Sequence, residues 1–266
     1  MIWQIGADLR CAYTAQALRA HGLCVHTHRV PTLESEPLGQ EITCLILPFP
    51  SLKGECLRES SIGVQDILPH LAQKARVYGG KLEPWREELH AHGIEIFDLY
   101  DTEPLTTANA AATAEGALAL ALMHAPYTVQ GADCLVIGAG RIGKLLAQKL
   151  HLLGARVTLT ARKAADLAYA EALGLQAEPT GSYTRLSHYD MVFNTVPSEI
   201  LTPAQLAALD TQCLLFELAS QDGFSAEVCR ALGLQRICAR GLPGRFSPQT
   251  AGELYANTIM QREGWL

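Results

Sequence analysis

The stretch Cys134-Leu135-Val136-Ile137-Gly138-Ala139-Gly140-Arg141-Ile142-Gly143 constrains this chain more than any other. Three glycines in G-x-G-x-x-G spacing stand directly after an apolar run and directly before an amphipathic one. That is the strand–turn–helix context in which the spacing carries a mechanism. Gly138 permits the tight turn, Gly140 lets the backbone approach a pyrophosphate, and Gly143 lets the helix pack close to its strand. The free N–H groups and positive dipole end of a helix predicted at 142–153 then face the phosphates, beginning with Arg141 and Ile142. A dinucleotide site is the expectation.

The end of the second strand decides which dinucleotide fits. An NAD site usually carries Asp or Glu about 20 residues beyond the turn, where it accepts from the ribose hydroxyls. Here the strand reads Arg156-Val157-Thr158-Leu159-Thr160-Ala161-Arg162-Lys163, and the first carboxylate downstream is Asp166. Two cations suit a 2′-phosphate better than a ribose diol does. Arg162 offers a fork of donors and Lys163 a point charge. NADP is therefore expected over NAD. In an open parallel sheet ligands sit beyond the carboxyl ends of the strands, so Asn194-Thr195-Val196-Pro197 should lie beside the nicotinamide half.

Short apolar runs alternate with amphipathic stretches through nearly all 266 residues, the rhythm of strand–helix–strand units around parallel sheets. Strands are predicted at 3–5, 25–28, 44–47, 76–78 and 95–97, with helices at 12–20, 64–73 and 85–91. A second series places strands at 134–137, 157–160, 191–195, 214–218 and 236–239, with helices at 142–153 and 164–173. Residues 109–124 are rich in alanine and leucine, so they favour a helix buried on most sides. The predicted architecture is α/β: two doubly wound parallel-sheet (Rossmann-like) domains joined by a long buried helix. The boundaries fall at 1–108 for a substrate domain, 109–128 for the spine helix and 129–245 for the nucleotide domain. Residues 246–266 form a C-terminal helix expected to pack back across the cleft. Glu115, the lone carboxylate of the spine, is singled out for a role at that cleft.

Composition narrows the class. Hydrophobic residues make up 48% and charged residues 18%, so a disordered chain is excluded. A net charge of −6 argues against nucleic acid or an anionic membrane as partner, because both demand a concentrated basic face. No apolar run reaches the roughly 18 residues a spanning helix needs, and the N-terminus lacks the features of a secretory signal. A cytoplasmic protein is expected. The eight cysteines are scattered without a C-x-x-C pair, which reads as free thiols rather than disulfides or a zinc site. His26-x-His28 and His90-x-His92 lack a third ligand nearby, so no metal is expected.

Taken together these motifs resemble the dipicolinate synthase family, in its pyridine-nucleotide-binding A-type component. The resemblance rests on Thr113-Ala114-Glu115-Gly116, Tyr127-Thr128-Val129-Gln130-Gly131, the glycine turn, Ala161-Arg162 and Asn194-Thr195-Val196-Pro197-Ser198. It continues through Leu218-Ala219-Ser220 and Gly241-Leu242-Pro243-Gly244 to Pro248-Gln249-Thr250-Ala251-Gly252. Ile5-Gly6-Ala7-Asp8-Leu9-Arg10 looks like the family's opening motif, with alanine where a second glycine is usual. What the resemblance implies is NADP-dependent oxidation of a dihydrodipicolinate-type ring to aromatic pyridine-2,6-dicarboxylate in sporulation. It also implies the mother cell as location and, as partner, the flavoprotein-like B-type component of dipicolinate synthase; a homo-oligomer is expected as well. Such a reaction needs orientation and carboxylate binding more than a strong base.

A dicarboxylate calls for donors or cations. Arg10, Ser51 and Lys53 are the candidates in the first half, with Ser198, Ser220, Arg245 and Thr250 in the second. Glu115 or Thr113 would orient the substrate or take the ring proton. Two other readings compete. A 2-hydroxyacid dehydrogenase shares the layout, but Gln249 stands where its acid–base histidine would be, and ketone reduction needs a proton donor. An NADP-binding sensor or organising protein without turnover is the other.

Overall fold

The computed structural model describes residues 1–28, 38–39 and 41–266. It divides into two compact units, one formed by Met1–Asn109 with Ser247–Leu266 and the other by Ala110–Phe246.

The first unit runs β1 (Ile2–Ile5), α1 (Leu9–Ala20), β2 (Val25–His28), β3 (Ile42–Ile46), a ribbon of β4 (Leu52–Lys53) and β5 (Cys56–Leu57), then α2 (Val64–Ile67). It continues through β6 (Leu71–Gly79), α3 (Glu83–Ala91) and β7 (Glu95–Asp98) to α4 (Glu103–His124), which crosses into the second unit. Strands pair in parallel in the order β2-β1-β3-β6-β7. Parallel neighbours need crossover connections, and here helices supply most of them. The expected helix at 64–73 is corrected: it stops at Ile67, Pro69 turns Leu68–His70 into a tighter coil, and Leu71, Ala72 and Gln73 open β6. Proline lacks the N–H that a continuing helix would use.

The second unit carries β8 (Asp133–Ile137), α5 (Arg141–Leu152), β9 (Arg156–Ala161), α6 (Ala164–Ala172), β10 (Gln176–Pro179), β11 (Met191–Asn194) and α7 (Pro203–Ala207). After these come β12 (Leu214–Glu217), α8 (Ala226–Ala231), β13 (Gln235–Cys238) and α9 (Leu242–Phe246). Its parallel order, β10-β9-β8-β11-β12-β13, is that of a doubly wound nucleotide-binding sheet. All of β8 is buried because helices cover both sheet faces, which is why it reads as an unbroken apolar run. α5 buries Gly143, Leu146, Ala147 and Leu150, one face of a 3.6-residue period. β10 escapes the sequence reading because it is an edge strand with no buried residue.

The expected pair of doubly wound sheets is present. α4 starts six residues before the predicted 109. It buries Ala110, Ala112, Thr113, Ala114, Ala117, Leu120 and Ala121, but its last turn does not follow, since Leu122 and Met123 are more than half exposed.

α10 (Pro248–Glu263) belongs to the first unit and packs along α1. Gly252 makes the approach possible: a Cβ there would stand 2.6 Å from the Arg10 carbonyl oxygen and 2.9 Å from the Thr14 nitrogen. Thr14 Oγ1 donates to the Gly252 oxygen at 3.0 Å. At the other end of α10, the buried Glu263 carboxylate pairs with Arg76 at 2.7 Å and accepts from the Tyr78 hydroxyl. All eight cysteines are free. Burial pushes the thiols of Cys11, Cys44, Cys134 and Cys213 up to about 12, which makes them inert. No helix among the described residues is long and apolar enough to cross a membrane.

Candidate functional site

The strand order of the second unit reverses direction between β8 and β11, and in sheets of this kind ligands bind outside the carboxyl ends at that point. The glycine turn follows β8 there. Gly138 has φ +100, and a Cβ on it would meet Val196 Cγ2 at 2.6 Å and Thr195 Oγ1 at 2.7 Å. Gly143 is tighter, because its Cβ would stand 1.8 Å from the Gly138 carbonyl oxygen. Gly140 differs from both. It caps α5 in an ordinary extended conformation (φ −75, ψ −173), is exposed, and has nothing within 4 Å of the position its Cβ would take. The fold therefore demands glycine at 138 and 143, whereas at 140 it leaves open space before a helix N-terminus. Arg141, exposed, and Ile142, half-buried, begin that helix.

The ladder between β8 and β9 pairs Ile137 with Thr160, and Gly138 N donates to the Thr160 oxygen at 3.1 Å. Arg162 thus emerges from the neighbouring strand beside the turn. It is exposed and enters no ion pair among the described residues, and Lys163 caps α6 next to it. Lys144, by contrast, is held by Asp166 at 2.7 Å, and this contact keeps the Asp166 carboxyl below its usual range.

On the other side of the turn, Thr195 Oγ1 donates to the Ile137 oxygen at 2.8 Å, so this hydroxyl braces the turn. Asn194, expected beside the nicotinamide half, is engaged inside the fold. It is wholly buried, accepts from Val196 N at 2.9 Å and donates to Glu217 Oε1 at 2.6 Å. Glu217, which the sequence reading missed, is also wholly buried. Burial pushes its carboxyl pKa up, while bonds from Gly223, Asn194 and Phe224 and the charge of Arg236 pull it part of the way back. Pro197, Ser198 and Ser220 are exposed on the loops that follow these strands, and the exposed Arg245 lies over the Phe246 ring.

The first unit has its own reversal point, between β1 and β3. Asp8 caps α1 by accepting from Arg10 N at 2.8 Å, and its carboxylate also accepts from the Arg10 guanidinium, Nε at 2.9 Å. Burial alone would lower the Arg10 pKa, but the hydrogen bond it donates to Asp8 and the neighbouring Tyr255 outweigh it and hold the cation firmly charged. A narrow cavity lined by Gln4, Arg10, Thr14, Phe49 and Tyr255 adjoins it, and the buried Gln4 Oε1 has no hydrogen-bond partner among the described residues. Phe49 stacks on Tyr255 with ring centroids 4.1 Å apart. Burial raises the Tyr255 hydroxyl above its ordinary value. Of these residues only Arg10 is a binding candidate from sequence.

Several expected residues have other work. Ser51 is fully buried, donates to the Pro48 oxygen at 2.7 Å and accepts from Gly80 N at 2.9 Å, so its hydroxyl is spent on the backbone. Glu115 is paired as well. Its carboxylate is 59% exposed and accepts from Lys149 Nζ at 3.0 Å, far down α5. At 1.5 Å per residue, Lys149 lies roughly 12 Å along the helix from Arg141. Thr113 is buried and engaged. Lys53 sits exposed on the small ribbon, and Thr250 is exposed in the first turn of α10. Gln249 spends its amide on Glu253 at 2.9 Å.

The sheet order and the glycine cradle define a class, that of Rossmann-type α/β proteins whose crevice suits a dinucleotide. No family model matches the sequence. The chain is 30% identical over 229 residues to the A component of dipicolinate synthase from Bacillus subtilis (strain 168), a span of 83% of this chain and 77% of that relative. It belongs to the dipicolinate synthase A-component family. The crystal structure of the same component from Bacillus halodurans superposes with a TM-score of 0.83 at 23% identity, covering 98% of this chain and 96% of that one. The crystal structure of its Bacillus subtilis counterpart gives a TM-score of 0.82 at 26% identity, covering 99% and 95%.

Proposed function

We propose that this protein is an NADP-dependent oxidoreductase that converts a dihydrodipicolinate-type ring to dipicolinate. Membership of the family supports the substrate class. One observation carries the cofactor: an open, helix-capping glycine at 140 with the unengaged Arg162 emerging from the adjacent strand. The N–H groups that open α5 would hold the pyrophosphate, and Arg162 with Lys163 would hold the 2′-phosphate. Bound NADP+ supplies a hydride acceptor. The protein's own part is orientation: braced loops at the ends of β11 and β12, and Arg10 as a cation for a carboxylate in the first unit. Loss of hydride and one proton aromatises the ring, so the reaction does not demand a strong base, and Glu115 is withdrawn from that role. Lys53 and Thr250 in the first unit, and Ser198, Ser220 and Arg245 in the second, stay as candidate donors for a carboxylate.

A flavoprotein-like second component as partner, assembly into a homo-oligomer and work in the cytoplasm of a sporulating mother cell complete the proposal. The test is a stopped assay of NADP+ reduction with freshly generated dihydrodipicolinate, following dipicolinate ultraviolet absorbance. NADPH and dipicolinate should form in equal amounts. NADP binding without turnover, both with and without the second component, would replace the enzyme reading with that of a sensor.

A further inference from the structure

Glu217 closes an otherwise apolar strand, and the fold spends three donors on it. Asn194 Nδ2 donates to Oε1 at 2.6 Å, while Gly223 N and Phe224 N donate to Oε2 at 2.7 and 3.2 Å. A buried carboxylate is costly unless it is satisfied in this way. Asn194 passes the restraint on: its Oδ1 accepts from Val196 N at 2.9 Å and its Nδ2 also donates to the Val196 oxygen at 3.0 Å. Gly223 has no room for a side chain, since a Cβ would stand 2.1 Å from Asn194 Nδ2. The far side of the same loop is tied by Asp222, which pairs with Arg236 at 2.6 Å and with Arg240, and by Arg240 Nε donating to the Ala219 oxygen at 2.7 Å. Ser220 and Gln221 are left exposed between these anchors. Hydrophobic contact would be enough to pack two loops. A continuous polar chain fixes their relative position, and Thr195 joins it to the glycine turn.

Strand order gives that position a meaning. With the pyrophosphate at the start of α5 and the adenylate half toward β9, the other half of a dinucleotide extends toward the ends of β11 and β12. Resting on the NADP reading above, we propose that Glu217 and Asn194 form a positioning pair for the nicotinamide half of the cofactor. They touch no substrate. They hold the Asn194–Ser198 and Leu218–Phe224 loops at the spacing the nicotinamide requires.

Two ligands separate positioning from plain stability. NADPH spans the whole crevice, whereas adenosine 2′,5′-bisphosphate occupies only the adenylate half. Glu217→Gln turns an acceptor oxygen into a donor facing donors, and Asn194→Asp sets two carboxylates against each other. Combining them restores a donor–acceptor pair in the opposite sense. Calorimetric titration of the full chain should show each single variant binding NADPH at least tenfold more weakly while its affinity for the bisphosphate stays within twofold. The double variant should regain part of the loss, because the pairing with position 217 returns while the carboxylate at 194 still faces the Val196 oxygen. Equal weakening of both ligands, or of neither, overturns the proposal. A wild-type chain that binds neither ligand overturns the cofactor reading and the proposal with it. If Glu217→Gln does not fold, Asn194→Ala leaves Glu217 its two backbone donors and carries the same comparison.

Discussion

Gly140 and Gly143 lie three residues apart in one motif, yet they should fail in opposite ways when each is replaced by alanine. At Gly143 the new methyl would stand 1.8 Å from the Gly138 oxygen, against the 3.0 Å below which real contacts do not occur, so roughly 1.2 Å must be found between a helix and its own preceding turn. Overpacking of this kind costs about 1–3 kcal/mol, a fall in Tm of roughly 2–12 °C. At Gly140 the methyl meets nothing within 4 Å and the backbone already suits an L residue. The weaker capping by alanine and the reduced freedom of the unfolded chain offset each other, leaving stability within about 0.5 kcal/mol of wild type. That methyl does occupy the space reserved for a pyrophosphate, so NADPH affinity should fall about 10–100-fold, or about 1.4–2.8 kcal/mol. Thermal melts with and without NADPH, together with calorimetric titration, measure both effects. A Gly140→Ala chain that binds like wild type, or a Gly143→Ala chain that melts like wild type, would refute the reasoning.

Arg162→Ala should raise the Kd for NADPH about tenfold or more while leaving that for NADH within twofold, as parallel titrations would show. Glu115→Gln should leave turnover unchanged in the NADP+ reduction assay, because its partner is Lys149 on the surface. Acid sensitivity should centre on Asp133, whose carboxyl is held below its usual range by the Arg156 hydrogen bond, with His188 adding to the effect. A depressed carboxyl pKa gives stability that is complete above the ordinary value near 4 and is lost as pH falls through the folded value. Tm plotted against pH should therefore drop below about pH 4, and more gently in Asp133→Asn.

The second unit was legible because its strands are buried on both faces and so write continuous apolar runs, and because a phosphate cradle requires glycines at fixed spacing. Its edge strand β10 was not legible, since an exposed strand has no pattern to show. The helix expected at 64–73 failed at Pro69, a breaker visible in the sequence but outweighed there by the apolar residues around it. Among the candidate residues, those of the glycine turn have a geometry fixed by the backbone, because Gly138 and Gly143 leave no room for a Cβ. The engagement of polar side chains near strand ends is not legible in the sequence, because a hydroxyl such as Ser51 Oγ or an amide such as Asn194 Nδ2 is as readily spent on a neighbouring loop. Glu217 had a signal, a carboxylate closing an apolar strand. Tyr255 had none, because only the packing of α10 along α1 brings it beside Arg10.

The claim that most of this rests on is a 2′-phosphate site beside the glycine turn. Calorimetric titration of the wild-type chain with NADPH and with NADH tests it directly. NADPH should bind at least tenfold more tightly; tighter binding of NADH, or no heat from either, would contradict it.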